Sequence, residues 1–213
     1  MLRKLFLATG NPSKAREIAE ALNSLDLEII SIADLPTAPD RSEPPEDGET
    51  FEENARIKAE FWQQETGLPT LADDSGILVE ALPGELGVRT VRFGAGAEAS
   101  DAEWLKFFLE RMEEAKTRRA KFISVLAFAE IGKPTEFFRG EVEGQILKKA
   151  AVPILPRIPL SSVFLADGAS EVFAAMSAAE KAKFSHRGRA VEKLKEFLKR
   201  IFIFTKICEK MTG

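Results

Sequence analysis

The chain has 213 residues, of which 45% are apolar and 30% are charged, and its formal net charge is −4. This composition is typical of a globular domain, and the small negative charge argues against a general nucleic-acid-binding protein. The single cysteine excludes an intrachain disulfide and a cysteine-based metal site, which predicts a reducing, cytoplasmic setting. No apolar run approaches the length of a membrane-spanning helix, so no membrane partner is expected.

The first elements of the chain alternate between strand and helix. An apolar run over 2–8 predicts a buried strand, and apolar residues at helical spacing predict a helix over 12–25. A second strand is predicted over 27–32. Residues 33–49 are rich in Pro, Asp and Glu and predict a long loop, a feature that is often functional in a compact domain.

The middle of the chain contains two further helices and an ambiguous apolar stretch. Residues 50–65 return to the helical pattern, whereas 69–80 predict either a strand pair or a strand broken by a turn. Ser100, followed three residues later by Glu103, forms a capping-box pattern that opens a helix ending near Met112.

The last third of the chain predicts two strands, an irregular stretch and a final helix. In chain order these cover 121–131, 135–147, 150–168 and 187–202, and another capping-box pattern begins at Ser177. A single domain over 1–203 is therefore predicted, with 204–213 as a C-terminal tail. The order of elements indicates an α/β fold with a mixed sheet.

The turn after the first strand combines helix-capping residues with anion-binding residues. It reads Thr9-Gly10-Asn11-Pro12-Ser13-Lys14. Asn11 is a good N-cap and Pro12 suits the first helical position, so these residues need no ligand. Two small hydroxyls and a lysine at a helix N-terminus also suit a phosphate, and the turn alone leaves both interpretations open. It matches neither a Walker A loop nor a G-x-G-x-x-G motif.

Two adjacent carboxylates, Asp73 and Asp74, lie within an apolar stretch and precede Ser75 and Gly76. In an extended chain they point to opposite faces, so only one is expected to share a site with the loop before it. Burying an acid among apolar residues is costly unless the acid is paired or binds a cation. The structural alternative is a turn between two strands, with Gly76 at the bend.

A second polar cluster lies on the helix predicted over 50–65. Asn54 and Lys58 are four residues apart and share one helix face, and Glu46 precedes them in the loop. Such a pair is often only a solvated polar face. The functional alternative is that Lys58 neutralises a phosphate while Glu46 helps to hold a metal.

A basic cluster of Lys181, His186 and Arg187 lies at the start of the last predicted helix. Positive charge at a helix N-terminus is unfavourable unless an anion binds there. Together with Lys14 and the buried acids, this cluster indicates metal-assisted cleavage of a polyphosphate.

Four ordered segments match one known family: LATGNPSK at 7–14, EDGETFEENARIKA at 46–59, LADDSG at 71–76 and MSAAEKAKFSHRGRA at 176–190. The chain resembles the inosine triphosphate pyrophosphatase family, which hydrolyses non-standard purine nucleoside triphosphates to the monophosphate and pyrophosphate. The resemblance covers about 3–200. It implies an elongated α/β fold in which helices flank a mixed central β-sheet and two lobes enclose a cleft. It also implies a homodimer and a requirement for Mg²⁺, with Mn²⁺ as a substitute.

The resemblance also implies roles for individual residues. Asp74, Lys14 and Lys58 would be catalytic, with Asp74 as the general base for water, and Glu46 and Asp74 would bind the metal. The substrate would be held by Thr9, Gly10, Asn11, Pro12, Ser13, Lys14, Asn54, Ser75, Lys181, His186 and Arg187.

One segment departs from the family pattern. A glycine-rich G-F-G-Y-D-P-like segment, whose aromatic residue stacks on the base, is replaced here by VPILPRIPLSSVF at 152–164. Arg157, Ser161 and Ser162 are therefore candidate base contacts. The departure leaves open the same chemistry on another modified or a pyrimidine nucleotide, as in Maf-like proteins. A non-catalytic nucleotide-binding regulator is a further alternative, but a pure binder would not need Asp74 as a water-activating acid.

Overall fold

A computed structural model of the chain describes residues 3–35, 44–93 and 99–212, so 36–43 of the predicted loop lie outside the described residues. Within them, one six-stranded sheet has the order β2-β1-β3-β4-β5-β6. The strands are β1 (Arg3–Ala8), β2 (Leu27–Ser31), β3 (Thr70–Val79), β4 (Arg119–Ala129), β5 (Glu136–Ile146) and β6 (Phe164–Ala166). β1 is parallel to β2 and β3, and the other neighbours are antiparallel, which confirms the predicted mixed sheet.

In the described ranges, four of the helices begin directly after a capping side chain, and the caps at Asn11, Ser100 and Ser177 were predicted. The helices are α1 (Pro12–Leu22), α2 (Phe51–Thr66), α3 (Asp101–Arg111), α4 (Ala178–Phe184) and α5 (His186–Thr212). The Asn11 side chain caps α1, and complete capping boxes open α2, α3 and α4 at Thr50, Ser100 and Ser177. Each cap satisfies amide groups that the first helical turn leaves without a partner. No helix in the described part of the chain is both long and apolar enough to cross a membrane.

The stretch predicted as a broken strand is one continuous strand, so the expected turn at Gly76 is wrong. β3 pairs with β4 along its whole length, and this ladder keeps the chain extended through Asp73 and Asp74. Gly76 serves a close approach instead, because a Cβ there would lie 2.2 Å from the carbonyl oxygen of Gly87.

The C-terminal elements also differ from the prediction. The last helix was expected to end near Phe202, but α5 continues to Thr212 because no proline or glycine interrupts it after Gly188. The stretch predicted to be irregular contains the short strand β6, which pairs with the end of β5 from Gly144 to Ile146.

Three apolar clusters organise the helices around the sheet. Leu7 and Leu71 pack with α1 and α5 on one face, whereas Phe6 and Ala72 pack with α2 on the other. The later part of β3, with Ile77, packs with α3, β6 and the end of β5 in a separate cluster. The middle of β3, which carries both carboxylates, therefore lies between this separate cluster and the other two.

Candidate active site

The alternation of β3 directs Asp73 and Asp74 to opposite faces of the sheet, as predicted. Both are buried, with side-chain exposures of 0% and 9%. Asp74 faces α2, and Asp73 faces the start of α1 and of α5. These two neighbouring acids thus form ion pairs with side chains of three helices.

On the α2 face, Asp74 belongs to a small cluster of polar groups. Lys58 Nζ lies 3.0 Å from Asp74 Oδ1 and 3.2 Å from Glu46 Oε1, and it donates to the carbonyl oxygen of Asp73. Asn54 donates from Nδ2 to Asp74 Oδ2 over 3.5 Å, and its Oδ1 accepts from the amide of Gly48. Asn54 therefore ties the loop that carries Glu46 to the central strand.

Burial and neighbouring charges shift the pKa values of Asp74 and Lys58 in opposite directions. Burial raises the pKa of Asp74, and the nearby Lys58 only partly offsets that effect. Burial would lower the pKa of Lys58, but the charges of Asp74 and Glu46 outweigh it and raise the pKa above its usual value. Asp74 is thus a carboxylate with an enhanced affinity for a proton, a property required of a general base.

On the other face, Asp73 is held as a carboxylate. Lys14 Nζ lies 2.9 Å from Asp73 Oδ2, Arg187 lies 3.5 Å from the same oxygen, and Ser124 donates to Oδ1 at 2.6 Å. Ser75 also donates to Asp73, and it accepts from Arg187. Burial would raise the pKa of Asp73, but the charges of Lys14 and Arg187 hold it well below its usual range.

Glu17, on α1, is a site residue that the sequence did not reveal. It forms ion pairs with Lys181 and Arg187 and so joins α1 to the basic cluster. Burial would raise the pKa of Glu17, but these two cations outweigh it and lower the pKa. The available signal was its position three residues after Lys14, which places both side chains on one helix face.

The turn predicted to bind phosphate lies beside Asp73, and its groups already have protein partners. Asn11 Oδ1 accepts from the amides of Ser13 and Lys14, and the amide of Asn11 donates to Thr9 Oγ1. The turn is therefore ordered by its own N-cap. The substrate-binding roles of Thr9, Gly10 and the residues up to Lys14 stay predictions.

His186 is packed between aromatic rings. Its ring stacks on Phe122 at a centroid distance of 4.7 Å and lies 6.0 Å from Phe173. Burial, followed by the positive charge of Arg187, lowers the pKa of His186 well below its usual value. The imidazole is therefore neutral at pH 7, and its buried Nδ1 has no hydrogen-bond partner among the described residues.

We expect the stability of the protein to fall between pH 7 and pH 5 because of His186. The unfolded chain binds a proton at this side chain below about pH 6.5, whereas the folded chain resists it. The free energy of unfolding should therefore decrease with falling pH by up to about 1.4 kcal/mol per pH unit. Urea denaturation of the wild type and of His186→Phe, which keeps an aromatic ring but cannot titrate, measures this. Equal pH slopes for the two proteins would contradict the prediction.

The chain is similar to known proteins in sequence and in fold. A family model described as the Ham1 family matches residues 5–197. A dITP/XTP pyrophosphatase of Thermus thermophilus is 42% identical, with 93% of this chain and 94% of the relative covered. A HAM1 protein structure from Coxiella burnetii is 32% identical with a TM-score of 0.79, over 93% of this chain and 99% of that one. A Staphylococcus aureus Ham1 protein structure is 29% identical with a TM-score of 0.77, over 92% and 98%.

This chain belongs to the Ham1 family.

Membership in the Ham1 family confirms the resemblance inferred from the four ordered segments. It also confirms the predicted α/β fold and the prediction of an enzyme, a hydrolase of the nucleoside triphosphate pyrophosphatase class. The roles assigned to single residues, the metal and the oligomeric state stay predictions.

The two carboxylates predicted to hold the metal suit a magnesium ion. Lys58 Nζ lies within ion-pair distance of an oxygen of Glu46 and an oxygen of Asp74, so these two carboxylates face the same point. Mg²⁺ is usually bound by one or two protein carboxylates, with water and substrate phosphates as its other ligands. Among the described residues, no group of three or more His, Cys, Asp or Glu side chains is placed so that it could hold a metal ion.

The segment that departs from the family pattern lies against the turn over 9–14. Ser13 Oγ donates to the carbonyl oxygen of Pro156, and Asn11 Nδ2 donates to that of Arg157. Ser161 and Ser162 are buried, and their hydroxyls donate to backbone carbonyls of their own turn. Neither hydroxyl proton is therefore available to the base of a nucleotide, whereas the Arg157 side chain is exposed.

Proposed function

We propose that this chain catalyses the Mg²⁺-dependent hydrolysis of non-standard purine nucleoside triphosphates, such as ITP, dITP and XTP, to the monophosphate and pyrophosphate. The observation that carries the proposal is the pair of buried acids at the middle of β3, each held by a different lysine. Asp74, with its raised pKa, is suited to accept a proton from water. The name of the Thermus thermophilus relative supports the substrate class.

In the proposed reaction, water attacks the α-phosphorus, the bond to the bridging oxygen breaks, and pyrophosphate leaves. Asp74 takes the proton of the attacking water. Lys58 and Lys14 stabilise the negative charge on the phosphates and on the leaving group. Asp73 and Glu17 have a positioning role, because they fix Lys14, Arg187 and Lys181 in place before substrate arrives.

Glu46 and Asp74 would hold the magnesium ion. The ion would screen the phosphate charge and lower the pKa of bound water. Lys58 lies between these two carboxylates, so it would turn towards a phosphate when the metal is present. Its four-carbon stem allows such a movement.

A second candidate keeps this chemistry but changes the base. It is favoured by the absence of an aromatic side chain from residues 152–163 and by the internal hydrogen bonds of Ser161 and Ser162. The substrate would then be a different modified nucleotide or a pyrimidine nucleotide. A regulator that binds nucleotide without turnover is the remaining alternative.

A pyrophosphate-release assay over ITP, dITP, XTP, GTP, ATP, UTP and dTTP tests the proposal. We expect kcat/KM for ITP and XTP to exceed that for ATP and GTP by at least about 100-fold, and removal of magnesium with a chelator to abolish turnover. Preferred turnover of another nucleotide would move the substrate but keep the mechanism. Binding without any product would contradict the enzymatic proposal.

We propose further that the active form is a cytoplasmic homodimer, as the resemblance to the family implies. Light scattering coupled to gel filtration measures the mass in solution, which should be twice the 23.5 kDa of one chain. A monomer at all micromolar concentrations tested would contradict the dimer.

A further inference from the structure

The charges described around Asp73 and Asp74 cancel one another. Lys14, Lys58, Lys181 and Arg187 supply four positive charges, and Glu17, Glu46, Asp73 and Asp74 supply four negative charges. Each cation is paired with at least one of these acids. A nucleoside triphosphate is a polyanion, so this network alone offers it no excess of positive charge. A bound magnesium ion would supply part of the missing charge.

Arg157 is a cation that lies outside this balanced network, and its backbone contacts the turn over 9–14. Its side chain is exposed, and its guanidinium has no hydrogen bond or ion pair among the described residues. Its carbonyl oxygen lies 3.2 Å from Asn11 Nδ2, and the carbonyl oxygen of Pro156 lies 3.1 Å from Ser13 Oγ. The long side chain of Arg157 therefore starts directly next to the turn predicted to hold phosphate.

The backbone of Arg157 is held in a conformation that arginine seldom adopts. Its φ is +62°, and it is the one non-glycine residue with positive φ in the described ranges. This conformation costs of order 1–2 kcal/mol and persists only where the surroundings enforce it. Here the amide of Arg157 donates to Asp101 Oδ2 at 2.7 Å, while its carbonyl accepts from Asn11. The segment is thus fixed from both sides, by the start of α3 and by the turn before α1.

We propose that Arg157 is a substrate-binding residue whose guanidinium contacts the triphosphate, with Asp101 as its positioning residue. The inference rests on the proposed function for its substrate class. A guanidinium can bind phosphate oxygens through two parallel hydrogen bonds, and an unpaired arginine loses no existing partner when it does so. The segment that lacks the base-stacking aromatic residue therefore contributes charge to phosphate binding.

Arg157→Gly is the decisive variant, because glycine adopts positive φ without strain and keeps both backbone hydrogen bonds. Inorganic tripolyphosphate is the probe, since it has the phosphates but no base. We expect its dissociation constant, measured by calorimetry with magnesium, to rise about 10- to 100-fold, and the KM of every hydrolysed nucleotide to rise by a similar factor with little change in kcat. Arg157→Lys should recover part of the affinity. Lys199→Ala, a charge removal further along α5, is the matched control and should change neither value.

The outcomes separate this inference from the proposed function. Unchanged tripolyphosphate affinity in Arg157→Gly would overturn it, and a change confined to nucleotides of one base would assign Arg157 to the base instead. If no nucleotide is hydrolysed by the wild type, the proposed function fails, yet the tripolyphosphate measurement still tests Arg157. Asp101→Ala should raise KM in the same direction, whereas Asp101→Asn, which retains an acceptor oxygen, should restore it.

Discussion

Asp74→Asn is expected to lower kcat for pyrophosphate release by about 10²- to 10⁴-fold, because an amide cannot accept the proton of the attacking water. The side chain keeps its size and its position in β3. Since burial raises the pKa of Asp74, the folded protein disfavours its charged form relative to the unfolded chain. A neutral amide should therefore be tolerated, and we expect the melting temperature to stay within a few degrees of that of the wild type.

The measurement combines steady-state kinetics on the preferred nucleotide with thermal denaturation of the same preparations. A large loss of kcat at unchanged melting temperature would support a direct chemical role for Asp74. Undiminished turnover by Asp74→Asn would assign the general base elsewhere. An equal loss of activity and folded structure would instead show that Asp74 holds the site together.

The same exchange at the preceding residue should, unlike Asp74→Asn, destabilise the fold. Asp73→Asn is expected to reduce the free energy of unfolding by about 3–5 kcal/mol, because it removes the counter-charge of Lys14 and one of the two counter-charges of Arg187, the other being Glu17. Lys14 and Arg187 both pair with this carboxylate, which is fully buried and is stabilised as an anion. For a chain of this length, that loss corresponds to about 6–20 °C in melting temperature.

The stabilities of Asp73→Asn and Asp74→Asn are compared directly by urea denaturation and thermal scans. The comparison is matched because both variants exchange a carboxylate for an amide of similar shape. Asp73→Asn should also lose activity, since Lys14 would lose the carboxylate that fixes it and Arg187 would keep only Glu17 and Ser75 as partners. A melting temperature of Asp73→Asn equal to that of Asp74→Asn would contradict the distinct roles of the two faces. Lys14→Met in the Asp73→Asn background should recover stability, because it removes the cation that the first exchange leaves unpaired. It should not recover activity, because Lys14 is itself a proposed catalytic residue.

The different roles of Asp73 and Asp74 depend on partners that are remote in the sequence. Alternation along an extended chain already placed Asp73 and Asp74 on opposite faces, but it did not say what each face contains. The structure places Lys58 and Glu46 on one side and Lys14 and Arg187 on the other. Only these partners decide which carboxylate gains affinity for a proton and which loses it.

Local features of the fold were predictable because their determinants lie within a few residues. The caps at Asn11, Thr50, Ser100 and Ser177 mark helix starts, since each side chain bonds to amides two or three positions further on. Strand and helix periodicity likewise reflect which face of a short segment is buried. The four ordered segments were distinctive enough to identify the family before any geometry was known.

The sequence by itself determined most of the element order, several helix caps and the family, whereas tertiary structure decided the continuity of β3, the strand β6 and the partners of the charged side chains. The continuity of β3 depends on its ladder with β4, whose residues are remote in the chain, so the sequence left a turn at Gly76 open as an alternative. Glu17 meets Arg187 across 170 residues, and Arg157 meets Asp101 across 56. Ion pairing depends on distance in space, and burial sets its strength. Neither the pairs nor their strengths could therefore be inferred from residue types alone.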